Sequence, residues 1–183
     1  MKLRRSQFGM MVFFIVLGAL VYASTLGAAD RGDVIKAVSS GKIKEVNELL
    51  GKGSDVNEKD AEFGVTPLHA AAYHGHMDIV KLLLKKKADI HARDNDGETP
   101  LLAALSKGFS EIGLLLINRG AKVNVQTKKK WTPLHFAATL GDEDLILLLV
   151  KKGANKKART SEGKTPLDLA MASGHKDLEA HLK

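Results

Sequence analysis

From residue 66 onward the apolar residues fall into two clusters per period, separated by polar turns, and the whole pattern returns every 33 positions. The register marks are four Thr-Pro pairs, beginning at Thr66, Thr99, Thr132 and Thr165. Thr66-Pro67-Leu68-His69-Ala70-Ala71-Ala72 aligns without gaps with Thr99-Pro100-Leu101-Leu102-Ala103-Ala104-Leu105. Thr132-Pro133-Leu134-His135-Phe136-Ala137-Ala138 and Thr165-Pro166-Leu167-Asp168-Leu169-Ala170-Met171 follow. A threonine before a helix offers an oxygen to the unpaired amides of its first turn. Proline at the first helical position gives up no useful N–H and has its φ already set. Each Thr-Pro therefore predicts a helix start. Gly75, Gly108, Gly141 and Gly174 predict the ends, because glycine accepts the left-handed conformation that stops a helix.

The second cluster predicts a second helix. Its apolar residues are Ile79, Val80, Leu82, Leu83 and Leu84, then Ile112, Leu115, Leu116 and Ile117, then Leu145, Ile146, Leu148, Leu149 and Val150. Polar stretches such as Asp94-Asn95-Asp96-Gly97 then predict tight turns. The unit is helix, turn, helix, projecting hairpin. Such a unit cannot bury its apolar face alone and must stack on copies of itself. A stacked array favours a long surface over an enclosed catalytic cavity.

Thr-Pro-Leu-His, the alanine-rich first helix, the run from Gly75 to Leu84 and the Asp-Asn-Asp-Gly turn together resemble the ankyrin repeat. The resemblance covers about residues 33–183. It implies an all-α fold, an α-solenoid of stacked helix–turn–helix units with short β-hairpin fingers, whose usual work is protein–protein recognition. The implied domain spans 30–183: an N-terminal cap at 30–65, repeats at 66–98, 99–131 and 132–164, and an abbreviated C-terminal repeat at 165–183. The first finger, Asp55 to Val65, is one residue longer than the others and is expected to be irregular. Lys130 stands where other fingers have Gly97 and Gly163, and Lys156 stands where others have Val56, Ile90 and Val123. Leu102 and Asp168 replace the histidine of the Thr-Pro-Leu-His slot.

The N-terminal 29 residues follow a different pattern. Lys2, Arg4 and Arg5 precede an uncharged stretch from Phe8 to Ala29, most apolar from Met10 to Ala23. A positive start, an apolar segment and small residues after it describe a signal peptide, with cleavage after Ala23 or Ala29. An uncleaved anchor is the rival reading, since about 20 apolar residues span a bilayer. Both readings place the repeats outside the cytoplasm. A bacterial-type protein that is periplasmic or secreted is expected, with anchorage in the inner membrane, facing the periplasm, as the alternative. The absence of cysteine does not conflict with export, because a solenoid can bury enough apolar surface without disulfides.

The net charge of +7 is unevenly spread. Residues 30–98 carry 11 basic and 13 acidic groups, whereas 99–183 carry 14 and 8, a net +6. The C-terminal half is therefore the expected site for an acidic partner. Sparse aromatics and the lack of a reader motif argue against nucleic acid.

In ankyrin-like arrays the finger tips and the first helices form one concave surface. The repeat frame places Tyr73, His74, Arg93, Lys107, Lys128, Lys129, Trp131, Leu140 and Arg159 there, together with Asn95, Asp96 and Glu98. Trp131 is the sole tryptophan, falls beside three lysines at an exposed finger position, and is expected to be the centre. Local packing of Trp131 on its own hairpin is the competing expectation. A second candidate is a stripe of Leu114 and Leu147 on the outer helices.

Catalytic chemistry is not expected. His69 and His135 are expected to bond between neighbouring turns. His74-Gly75-His76 lacks the third and fourth ligands a metal site needs. No nucleophile–base pair or phosphate-cradling loop is present. The sequence thus predicts a monomeric protein-binding scaffold, not an enzyme, with no cofactor and no metal.

Overall fold

The computed structural model describes residues 33–183, so the expected signal peptide or anchor at 1–29 lies outside the described residues. Among the described residues ten α-helices come in pairs: α1 (Asp33–Ser39) and α2 (Ile43–Gly51), α3 (Pro67–Tyr73) and α4 (Met77–Lys85), α5 (Pro100–Ser106) and α6 (Ser110–Asn118), α7 (Pro133–Leu140) and α8 (Glu143–Lys151), then α9 (Pro166–Ala172) with α10 (Glu179–Leu182). A 3₁₀ turn (Lys176–Leu178) leads into α10. The odd-numbered helices stack in one row, each on the next, and each packs on its own even-numbered partner.

Local chemistry sets these boundaries. The hydroxyls of Thr66, Thr99, Thr132 and Thr165 accept from the backbone amides of His69, Leu102, His135 and Asp168. The side chains of His69, His135 and Asp168 reciprocate, accepting from the threonine amides. Gly75 closes its helix at φ +76°, and a Cβ there would lie 2.4 Å from the ring of Phe109 in the next unit. The position needs glycine twice over, for its backbone and for its neighbour.

The core is one continuous cluster along the stack. Leu68, Leu101 and Leu134 are buried from the inner row, and Leu83, Leu116 and Leu149 from the outer row. The small residues of the inner helices let the rows approach; Ala71, Ala104 and Ala137 are all fully buried.

The fingers are shorter than full hairpins. Each closes with two backbone bonds: Asp94 N to Glu98 O and Gly97 N to Asp94 O (both 3.1 Å), Thr127 N to Trp131 O (3.0 Å) and Lys130 N to Thr127 O (2.9 Å), and Thr160 N to Lys164 O and Gly163 N to Thr160 O (both 2.9 Å). Among the described residues no strand forms. In the first finger the longer-range bond runs from Asp60 N to Val65 O, five residues apart instead of four, which accommodates the extra residue.

Lys130 keeps the turn its glycine equivalents make, at φ +59°, against +76° for Gly97 and +77° for Gly163. Left-handed backbone costs an L-residue about 1–2 kcal/mol, and glycine's greater chain entropy offsets roughly half of that. Lys130→Gly is therefore expected to stabilise the protein by up to about 1 kcal/mol, seen as a higher denaturation midpoint. A lowered midpoint would show that the turn carries no such strain.

Candidate functional site: the concave face and its fingers

The fingers owe their shape to the side chain that opens each turn. Asp94 Oδ1 accepts from Asp96 N at 2.9 Å and Glu98 N at 2.8 Å. Asp60 does the same for Phe63 and Val65. Thr127 and Thr160 play this part in the later fingers. Neighbouring fingers are then tied together. Asn95 N donates to Phe63 O at 2.9 Å, and Ser161 N donates to Lys129 O at the same distance. The result is a row of fingers held in register, beside the inner helices.

His69 and His135 fix that row to the helices. Thr66 N–H donates to His69 Nδ1 at 3.3 Å, which leaves the ring proton on Nε2 to donate to Glu98 O at 3.1 Å. His135 repeats this with Thr132 N (3.1 Å) and Lys164 O (3.1 Å). The expected bonds between neighbouring turns are present. Burial holds both imidazoles below their ordinary pKa, against the opposing effect of the backbone bonds to Glu98 and Lys164. They are structural groups. Asp168 replaces the histidine in the last unit, and its carboxylate accepts from Thr165 N and Oγ1, each at 2.8 Å.

The expected binding residues fall into three groups. Tyr73, His74, Lys107 and Leu140 lie exposed at the ends of the inner helices. There the Lys107 ammonium sits 4.3 Å from the centroid of the Tyr73 ring, and His74 meets that ring edge-on at 5.2 Å. Arg93 and Arg159 are exposed but turn back on their own fingers, with Nη1 donating to Gly97 O (3.2 Å) and Gly163 O (2.7 Å). Lys129 is exposed at the third finger.

Two residues of the expected centre differ from the sequence reading. Trp131 is half-buried, not exposed, because its ring packs 5.0 Å from Phe136 and 6.1 Å from His135. It covers the histidine bridge from solvent. Lys128 is not a free cation: it forms an ion pair with Asp96 on the preceding finger. The outer leucine stripe is also incomplete. Leu147 is exposed, whereas Leu114 is half-buried against the core.

A separate concavity lies between the first two fingers. It is a groove of about 480 Å³ bordered by α1, α3, α5 and both fingers. Phe63 (58% exposed) and Tyr73 (44%) flank it. Asp60, Asp94, Asp96 and Glu98 line it. The Glu98 carboxyl is held above its usual pKa by burial first, then by repulsion from Asp94 and Asp96. Of these, Phe63 was outside the sequence reading. It sits in the irregular finger, where the 33-residue frame sets it against Asp96 and Lys129, both charged, and the flanking Asp60 and Gly64 mark a turn tip.

Among the described residues no three potential metal ligands cluster, and no helix is long and apolar enough to cross a membrane.

Known proteins share this architecture in sequence. The family model for ankyrin repeats, in three copies, matches residues 34–127 and again 111–180. An ankyrin repeat-containing protein of Schizosaccharomyces pombe is 48% identical over 62 residues, covering 34% of this chain and 30% of that protein. Ankyrin repeat domain-containing protein 49 of Homo sapiens is 46% identical over 57 residues, 31% of this chain and 23% of that one. The 2-5A-dependent ribonuclease of Mus musculus is 46% identical over 68 residues, 37% of this chain but 9% of the enzyme. The chain thus matches less than a third of the length of each of these relatives, and a 9% share carries no activity across. The Thr-Pro starts, histidine bridges and finger turns agree with a family model spanning nearly all the described residues: the chain belongs to the ankyrin-repeat family.

Proposed function

We propose that this protein is an exported scaffold that binds another protein through its fingers and concave face, and that it performs no catalysis. Ankyrin repeats imply protein partners in general. The observation that supports the concave face is a set of side chains that stay open there: Tyr73, His74, Lys107 and Leu140 are exposed at the ends of inner helices whose Ala71, Ala104 and Ala137 are buried. Export rests on the positive start and apolar stretch of residues 1–29. An adaptor anchored in the inner membrane, holding its partner at the cell envelope, is the alternative reading of that same segment. An acidic partner on the third finger is a second reading of the surface. It is carried by Lys129 and Lys130, which remain exposed beside the paired Lys128.

One experiment tests function and location together. The full chain, tagged at its C-terminus, is expressed in its own cells, fractionated, and used to capture proteins. The expected product lies outside the cytoplasm, begins at Ser24 or Asp30 by mass, and retains a protein that a Tyr73→Ala, Leu140→Ser variant holds about tenfold less tightly. A membrane-bound product with an intact N-terminus would select the anchored form. A cytoplasmic product would overturn export, and failure to retain any protein would overturn the scaffold.

A further inference from the structure

Building on the protein-binding reading, we propose that the groove between the first two fingers takes an extended basic segment of a partner protein, seating a lysine or arginine among Phe63, Tyr73 and the carboxylates of Asp94, Asp96 and Glu98. Four carboxylates border this groove and no lysine or arginine does. The nearby cations are occupied at its margins. Lys128 pairs with Asp96, Lys59 donates to Arg93 O, and Arg93 donates to Gly97 O. Asp60 accepts from turn amides through both oxygens and Asp94 through Oδ1, bonds that do not remove their charge.

Glu98 is the informative group. It is partly buried, and its carboxyl is held above its usual pKa by burial first and then by the like charges of Asp94 and Asp96, of which Asp96 is also paired with Lys128. Carboxylates held together in this way gain from an incoming positive charge. The aromatic flanks suit the same ligand. A lysine or arginine lays its aliphatic stem on apolar surface and its charge over a ring face. Tyr73 already accepts an ammonium in this manner, from Lys107. The groove is open and crosses two fingers, a shape that fits an extended segment. This occupant is opposite in charge to the one expected from the basic C-terminal half.

The test is selection from a displayed library of random short peptides on the immobilised full chain. Retained peptides are expected to be enriched in lysine and arginine and poor in aspartate and glutamate. Their affinity is expected to fall about tenfold in Glu98→Gln and in Phe63→Ser, and to weaken as salt is raised. Phe63 is exposed and Glu98 partly buried, and an unaltered thermal midpoint would confirm that each variant is folded. Acidic or purely apolar peptides, no enrichment, or basic peptides held equally by both groove variants would overturn the proposal. A cellular partner whose capture ignores Phe63→Ser and Glu98→Gln would overturn the groove and leave the scaffold standing. Absence of any captured protein would instead remove the scaffold.

Discussion

Leu105→Ala is expected to destabilise the protein by about 2–5 kcal/mol, and adding Gly113→Val is expected to restore much of that loss. The reason is an exchange of volume inside one repeat. In the preceding unit the two equivalent positions are Ala72 and Val80, and in the following unit Ala138 and Ile146, all fully buried. The small residue there sits on the inner helix and the large one on the outer. The middle unit reverses them, with Leu105 on α5 and Gly113 on α6. A Cβ at Gly113 would come 2.5 Å from Leu105 Cδ2, so leucine occupies the space that a valine or isoleucine fills elsewhere. Removing Leu105 alone opens a cavity against glycine, which cannot collapse into it. Gly113→Val alone overpacks, a cost of about 1–3 kcal/mol, with a small return from better helix propensity. The double variant recreates the arrangement of both neighbours. Denaturant unfolding of the two singles and the double measures the coupling. Simple additivity would show that the two side chains do not share one space.

His135→Ala is expected to cost about 3–5 kcal/mol, since it opens a buried space and strips partners from Thr132 N–H and Lys164 C=O together. His135→Leu should cost less, because it keeps the volume and loses only the bonds. The second repeat already tolerates this solution with the fully buried Leu102. The bridge also makes stability depend on pH. Nδ1 must accept from Thr132 N–H, so the ring must stay neutral. Burial lowers the folded pKa of His69 and His135 below the ordinary 6.5, so between the folded pKa and 6.5 the unfolded chain binds more protons. Their contribution is complete above about pH 6.5 and is lost as pH falls through the folded value. A His69→Leu, His135→Leu protein should lose less stability than the parent between neutral pH and pH 5. Equal losses in the two proteins would exclude these histidines as the source, because the remaining histidines are common to both.

The two experiments probe different kinds of information. The fold was legible along the chain because each boundary is local. Thr66 and Pro67 start a helix through atoms within three residues, and Gly75 ends it through its own backbone. Repeating those signals four times fixes both the elements and their stacking. The histidine bridges could be anticipated on the same footing, because the frame sets one turn against the next. The expected binding surface was legible as an address: Tyr73, Lys107 and Leu140 are exposed where the frame placed them.

What the frame could not supply was the partner each side chain chooses. Trp131 turned onto Phe136 at the start of the next helix, and Lys128 reached across to Asp96 on the preceding finger, in contacts set by side-chain direction and not by position in the repeat. The acidic groove needed two neighbouring fingers set side by side, and the Leu105–Gly113 exchange needed two helices brought together. The sequence by itself determined the helices, their ends and the order of the stack, because these follow from backbone preferences and from apolar faces that must be buried. Tertiary structure alone decided which charges are paired, which aromatic is covered and where the open groove lies, because those outcomes belong to side chains that meet in the folded chain and not to either residue alone.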